Sequence, residues 1–358
     1  MRVAYFGTWE RGYPRNDQVT AALATAGVDV ELVHEEMWTG AHKFGLTPTV
    51  LPRLARAELR LARTTVRDDV DALIVGYPGQ FDLWSAKRHG KPVVFNAMVS
   101  LYDTFVEDRE RFRDGSLAAK VLRRLDRSAF RAADLVVADT QANADYIREL
   151  SSVDEVAVCF LGAEERLFRH DWQRREDFHV LFVGKPAPLH GLDVILDAAR
   201  QLPDVRFRVV GTGQVTDLLD NRPANVEHVP WVAYERVADE YARAGCALGI
   251  FGVSGKARRV IPHKTFQALA VGTPLITADT PAARELLVDR RDCLLVERSP
   301  EALAEAIVAL RDEPDLARQI GSGGRATFER EASENVLGER WRDSIERAIE
   351  RRRMKTAR

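Results

Sequence analysis

The sequence predicts an α/β protein built from two doubly wound, parallel-sheet domains in tandem. Three observations carry this. The stretches Arg2-Val3-Ala4-Tyr5-Phe6-Gly7 and His179-Val180-Leu181-Phe182-Val183-Gly184 are each a short apolar run ending in glycine. A polar loop and a helix-like stretch follow each, which is how the first strand of a doubly wound domain reads. Along both halves, short apolar runs alternate with amphipathic stretches, so the sheets are parallel and covered on both faces. Finally, 358 residues are too many for one ordinary core and enough for two.

In the first half the expected strands after the opening are Val28–Val33, Ala72–Val75, Pro92–Phe95 and Leu135–Ala138. Helices are expected at Asp17–Ala26 and Gln141–Leu150. In the second half the strands are Val205–Val210, Val226–Val229, Ala247–Phe251, Pro274–Thr277 and Cys293–Val296. Leu192–Leu202, Tyr234–Ala244, His263–Val271 and Ala282–Val288 read as the helices between them. The polar, aperiodic segment 164–177 reads as a linker between domains at 1–163 and 178–335. The chain is helical from about Pro300, and 336–358 is expected as a helix packing back toward the N-terminal domain through a stripe of Trp341, Ile345, Ala348 and Ile349.

A formal net charge of −2 argues against a general nucleic-acid binder. The three cysteines, Cys159, Cys246 and Cys293, form no CxxC pair and sit among apolar residues. They read as small core residues of a reducing compartment. No apolar run approaches the roughly 18 residues that span a bilayer, and Met1–Phe6 is too short for a signal peptide core. The location expected is the cytoplasm, with a peripheral contact at the inner membrane face.

Two loops carry the chemistry. In Gly184-Lys185-Pro186-Ala187-Pro188-Leu189-His190-Gly191 a strand ends at a glycine and a helix starts near Leu192. Free N–H groups at a helix start hold anions, and Lys185 and His190 flank the loop, which suits a diphosphate. An ordinary βα turn with a solvated lysine reads the same way. The second loop, Gly252 to Ile261, holds Ser254, Gly255, Lys256, Arg258 and Arg259 and leads through Pro262 into a helix. On that helix Lys264 and Gln267 share a face, with Phe266, Leu269 and Ala270 opposite. A cationic loop with an amide one turn into the helix fits a phosphate and a sugar hydroxyl; a solvated basic loop is the plainer reading.

These residues resemble the family 4 glycosyltransferases (glycosyl transferases group 1), retaining enzymes with the GT-B fold of two facing Rossmann-like domains. The likeness covers nearly the whole chain and is densest from Phe178 to Gly324. Gly184-Lys185 through His190-Gly191 looks like the family's loop whose cations hold the donor diphosphate. Pro262 to Ala270 looks like its donor-binding helix, followed by Gly272-Thr273-Pro274. Val210-Gly211-Thr212-Gly213 and His228-Val229-Pro230-Trp231-Val232 match loops near the diphosphate and the nucleobase. The resemblance therefore implies a donor set of Gly184, His190, Gly191, Gly211, Gly213, Trp231, Val232, Ser254, Gly255, Lys256, Arg258, Arg259 and Gln267, with Lys185 and Lys264 as catalytic cations. It implies a nucleotide-diphosphate sugar as substrate, no metal and no other cofactor.

Three positions depart from the family pattern. Two glutamates eight residues apart are replaced by Arg259 and Gln267. The loop cations are Lys185 and His190 rather than arginine and lysine. A histidine after the fourth N-terminal strand is not evident in Phe95–Ser100. Gln267 still hydrogen-bonds a hydroxyl but brings no charge.

By analogy the N-terminal half holds the acceptor, a glycan, a lipid-linked carrier or a small molecule. The candidates are Trp9, Glu10, Arg11 and Arg15 on the first loop, and Tyr102 with Asp103 later on. Asp103 would orient the acceptor hydroxyl; it also suits a helix N-cap. Trp9 also suits packing between domains. Two basic stripes remain: Arg53, Arg56, Arg60, Arg63 and Arg67, and Lys120, Arg124, Arg127 and Arg131. Each lines one helical face, suited to anionic lipid or to plain solvation. The rival readings are a nucleotide-sugar epimerase of related fold and a non-catalytic nucleotide-sugar-binding protein. A dehydrogenase is disfavoured, because the opening loops lack G-x-G-x-x-G.

Overall fold

The computed structural model describes residues 1–38, 50–173 and 177–356. The chain divides into two compact units. Unit 1 is Met1–Phe160 with Glu334–Arg358, and unit 2 is Leu161–Ser333.

Unit 1 runs β1 (Arg2–Gly7), α1 (Pro14–Thr25), β2 (Asp29–His34), α2 (Val50–Leu61), β3 (Ala72–Val75), α3 (Leu83–Arg88) and β4 (Val93–Asn96). It continues with α4 (Leu117–Ala132), β5 (Leu135–Ala138), α5 (Gln141–Ser151) and β6 (Val156–Val158). The strands form one parallel sheet in the order β2-β1-β3-β4-β5-β6. Strands β3, β4 and β5 are buried at every position, as a sheet covered on both faces requires. Ser116 and Thr140 begin α4 and α5 by accepting from the N–H three residues on.

Unit 2 runs β7 (His179–Val183), α6 (Leu192–Gln201), β8 (Arg206–Val210), β9 (Val226–Val229), α7 (Val237–Arg243) and β10 (Cys246–Leu248). Then come α8 (Gly255–Arg259), α9 (His263–Val271), β11 (Leu275–Ala278), α10 (Pro281–Leu286), β12 (Leu294–Val296), α11 (Pro300–Asp312) and α12 (Pro314–Glu331). Its parallel sheet has the order β12-β11-β10-β7-β8-β9. The last helix, α13 (Glu334–Thr356), returns to unit 1 and packs on α1, with Leu337, Trp341, Ile345 and Ala348 buried. Of the expected stripe, Ile349 is the one partly exposed residue. Both units are Rossmann-like.

The sheet orders locate the sites. Ligands of such sheets bind beyond the strand C-termini where the winding reverses. In unit 2 that point lies between β7 and β10, so the loops at 184–191 and 249–255 flank it. In unit 1 it lies between β1 and β3.

Three expectations change. The segment 164–177 is not a free linker over its described part, because its aromatics are anchored in unit 2. Phe168 is fully buried against Tyr234 and Tyr241, and Trp172 donates its indole N–H to the Ala244 carbonyl at 2.7 Å. Residues 174–176 lie outside the described residues. The unit boundaries fall at Phe160 and Ser333. The strand expected at Ala247–Phe251 is shorter, Cys246–Leu248: past it the Ile250 N–H donates to the Thr277 hydroxyl at 3.2 Å instead of to a strand carbonyl. The short strand β6 carried too few residues to show a period.

Candidate functional site

The site is assembled from four loops of unit 2. Gly184 ends β7 at φ 136°, and a 3₁₀ turn, Pro188–His190, leads to Gly191 at φ 64°. Gly191 has to be glycine on two counts: its backbone is left-handed, and a Cβ would lie 2.4 Å from the Phe251 carbonyl carbon. That close approach lets Phe251 N–H donate to the His190 carbonyl and Gly252 N–H to the Leu189 carbonyl, both at 3.0 Å. The loops at the switch point are thus laced together by backbone. On the other side Gly211 and Gly213 press on the first loop; a Cβ on either would lie 2.3 Å from the Gly184 or Pro186 carbonyl oxygen. His228 meets the Gly211 carbonyl at 3.0 Å, and Thr212 donates to the Pro230 carbonyl at 3.1 Å, which brings in the loop of Trp231 and Val232. Trp231 is 76% exposed, an apolar ring face open to a planar partner.

The next loop begins α8 with Ser254, whose hydroxyl accepts from Ala257 N–H at 3.2 Å. Gly255 leaves room for the Arg259 guanidinium, whose Nη1 would stand 2.8 Å from a Cβ there. Lys256 is buried, Arg259 half-buried and Arg258 exposed. Pro262 then starts α9, which ends at Gly272.

The sequence pattern predicted a two-sided α9, but the helix is buried on every side, including Lys264 and Gln267. It packs against α7, α12, β10 and β11, which leaves no solvent face. Lys264 is only 6% exposed. Its Nζ lies 3.5 Å from the centroid of the Phe182 ring and has no hydrogen-bond partner among the described residues. It also sits beside the Gly184 Cα, where a Cβ would be 3.2 Å away. Burial drives its ammonium well below the usual lysine range. His190 stands edge-on to the same Phe182 ring, 5.5 Å between centroids, and its Nδ1 accepts from Ala187 N–H at 3.2 Å. Burial, then the charges of Lys264 and Lys256, push its imidazole well below the ordinary histidine value.

The stretches 184–191, 210–213, 228–232 and 249–267 contain no aspartate or glutamate. The cations of these loops therefore have no carboxylate of their own loops to neutralise them. Gln267 is held by phenols: Tyr241 donates to its Oε1 at 3.3 Å, and its Nε2 lies 3.5 Å from the Tyr234 oxygen. The structure thus brings Gly184, His190, Gly191, Gly211, Gly213, Lys256 and Lys264 into one constellation, with exposed Lys185 next to Gly184.

Sequence reasoning missed Phe182, the platform for Lys264, because it reads as one more strand residue. It also missed Arg298, whose Nε donates to the Phe251 carbonyl and steadies the second loop.

The unit 1 candidates separate. Arg15 is 1% exposed and committed to the scaffold. It donates to Asn96 Oδ1 at 3.0 Å and to the carbonyls of Phe160 and Cys159 at 2.9 and 3.2 Å, under the Trp341 ring. An acceptor role for Arg15 is therefore withdrawn. Trp9 is buried within unit 1, against Tyr5 and His34. Asp103 is 4% exposed and opens a π-helical turn, Asp103–Asp108, rather than capping an α-helix. Glu10 and Tyr102 are half-buried and Arg11 is exposed; Tyr102 donates to Asp114 at 2.8 Å, and Arg11 donates to His34 Nδ1 at 3.2 Å.

Two Rossmann-like units, with an acid-free, cation-rich switch point in the second, define a protein of the GT-B class. Residues 193–351 match the family model described as Glycosyl transferase-like. Lipopolysaccharide core biosynthesis glycosyltransferase LpsD of Rhizobium meliloti is 24% identical over 51% of this chain and 54% of its own length. Phosphatidyl-myo-inositol mannosyltransferase of Mycobacterium leprae is 32% identical over 41% of each chain. The chain thus spans about half the length of these two relatives. D-inositol 3-phosphate glycosyltransferase of Mycobacteroides abscessus is 26% identical over 88% of this chain and 73% of its own. Among solved structures, sucrose-phosphate synthase from Thermosynechococcus elongatus superposes with TM-score 0.75 at 17% identity, over 96% of this chain and 98% of that one. Anabaena Alr3699/HepE in complex with UDP-glucose gives 0.70 at 16%, over 97% and 99%. The chain is thus similar over its second half to glycosyl transferase-like proteins, and its fold is that of the GT-B structures.

Proposed function

We propose that the chain moves a sugar from a nucleotide-diphosphate donor, held by unit 2, to a glycan, lipid-linked or small-molecule acceptor. One observation carries this: the buried Nζ of Lys264 beside Gly184, without a hydrogen-bond partner among the described residues, in loops that hold no carboxylate. A buried cation without a counter-ion is costly, and a bound anion removes the cost. A diphosphate fits, with Lys264, Lys185, His190 and Lys256 around it and the start of α6 behind.

Breaking the bond from the anomeric carbon to the diphosphate puts a further negative charge on the leaving group. Preorganised cations and N–H groups stabilise that charge most where water is excluded. Trp231 offers a face for the base, and Ser254, Arg258, Arg259 and Gln267 surround the remaining donor. Retention of configuration follows from the family resemblance. In unit 1, Glu10, Arg11 and Tyr102 are the solvent-facing candidates for the acceptor, and Asp103 is the buried one.

The test is a thermal-shift series with the common nucleoside diphosphates, followed by product analysis with the matching nucleotide sugars. One base should raise the melting point at saturation, and its sugar donor should yield slow hydrolysis or transfer. Epimerised nucleotide sugar, or binding without any turnover across an acceptor panel, would replace the transferase reading.

A further inference from the structure

In unit 1, right-handed crossovers put α2, α3 and α4 side by side on one face of the sheet, with α2 contacting α3 and α3 contacting α4. Phe81 packs into the apolar clusters beneath both α2 and α4, so the three helices share one underside. Their outer faces share one composition. Every exposed charged residue on them is lysine or arginine. The acids that belong to them, Glu58, Asp126 and the α3 cap residue Asp82, are all buried. In a chain of net charge −2, this face is cationic throughout.

The cations concentrate in an open groove between α3 and α4, lined by Lys87, Lys120, Arg123, Arg124, Arg127 and Arg131. None of these six forms an ion pair with a carboxylate of the described residues. Arg131 also donates to the Ser151 carbonyl at 2.6 Å, and Arg123 lies over the Tyr102 ring at 5.7 Å. On α2, Arg60 meets Glu35 at 3.4 Å. Large apolar side chains stand among the cations. Leu117 is 79% exposed and Trp84 54%, and Val121, Leu51 and Leu59 are exposed as well. Arg88 reaches over the Trp84 ring at 5.5 Å.

A solvated charged face has no use for exposed leucine and tryptophan, and a polyanion such as nucleic acid has no apolar phase to receive them. Cations interleaved with apolar side chains match an anionic lipid interface, where the charges meet headgroups and the apolar tips enter the acyl boundary. We infer that the α2–α3–α4 face of unit 1 docks on the surface of a membrane rich in acidic lipid. This stands independently of the donor site.

The test is co-sedimentation of the full chain with vesicles of phosphatidylcholine alone and of phosphatidylcholine mixed with phosphatidylglycerol. Binding is expected only to the mixed vesicles, weakening with salt. Arg123→Glu, Arg124→Glu and Arg127→Glu together should lower the partition coefficient at least about tenfold, since each cation near the surface contributes severalfold. Trp84→Ala with Leu117→Ser should weaken it too, without changing the salt dependence. Arg318→Glu with Arg330→Glu, on α12, should leave it unchanged. The inference is overturned by equal binding to both vesicles, or by an equal loss from the α12 variant. It is also overturned if free glycerol phosphate displaces the vesicles fully, which would make the groove a phosphate pocket. Binding to heparin or DNA but not to vesicles likewise overturns it.

Discussion

The Lys264 Nζ lies 3.5 Å from the centroid of the Phe182 ring, capped by an aromatic face and paired with no acid among the described residues. An aromatic quadrupole attracts a cation but does not replace a counter-ion. The residue is thus held at a cost.

Replacing it should separate stability from function. Lys264→Met removes the buried cation at similar volume, so the melting point should rise while transfer falls by about 10² or more. The wild type should also gain stability as pH climbs from neutral toward the lysine range, because the unfolded chain binds the proton that the folded one gives up. The variant should lack that slope. Melting curves at several pH values check both.

Donor binding should take up protons. His190 and Lys264 are both held below their usual values by burial, and a bound diphosphate favours their charged forms. Calorimetry in buffers of different ionisation enthalpy should show uptake, with affinity falling as pH rises by about one decade per pH unit for each proton taken up. His190→Gln should reduce the uptake.

Arg15→Ala should act on the fold. The substitution removes the donor to Asn96 Oδ1 and to the Phe160 and Cys159 carbonyls in the interior, at a cost of about 3 kcal/mol or more. Urea unfolding should show that loss, with no selective change in KM for the acceptor.

Glu58→Gln should stabilise unit 1 at neutral pH. Burial, then the neighbouring Asp82, push the Glu58 carboxyl up to about 10. The folded chain therefore keeps a proton that the unfolded chain releases above the usual glutamate value. Stability should fall as pH rises between about 5 and 9 in the wild type, and the fall should be shallower in the variant. Unfolding free energy measured across that range decides it.

Much of this architecture was legible in the sequence. The runs at Ala72–Val75, Leu135–Ala138, Val226–Val229 and His263–Val271 are elements with the bounds their periodicity gives. The loop motifs located the switch point of unit 2. Burial was harder to read, because it depends on partners distant in the chain. Arg15 looks like a loop arginine until Cys159, Phe160 and Trp341 close over it. Lys264 looks like a surface cation until α9 proves to be enclosed on every side. The segment 164–177 looks like a linker because its charges outnumber Phe168 and Trp172, yet two aromatic anchors suffice to fix a chain.

The most direct measurement is a crystal structure of the chain with the nucleoside diphosphate that stabilises it best. Pyrophosphate oxygens should lie within hydrogen-bond distance of Lys264 Nζ and of the backbone N–H groups at Gly184 and Lys185. A diphosphate bound elsewhere, with Lys264 still enclosed over Phe182 and without an anionic partner, would contradict the account.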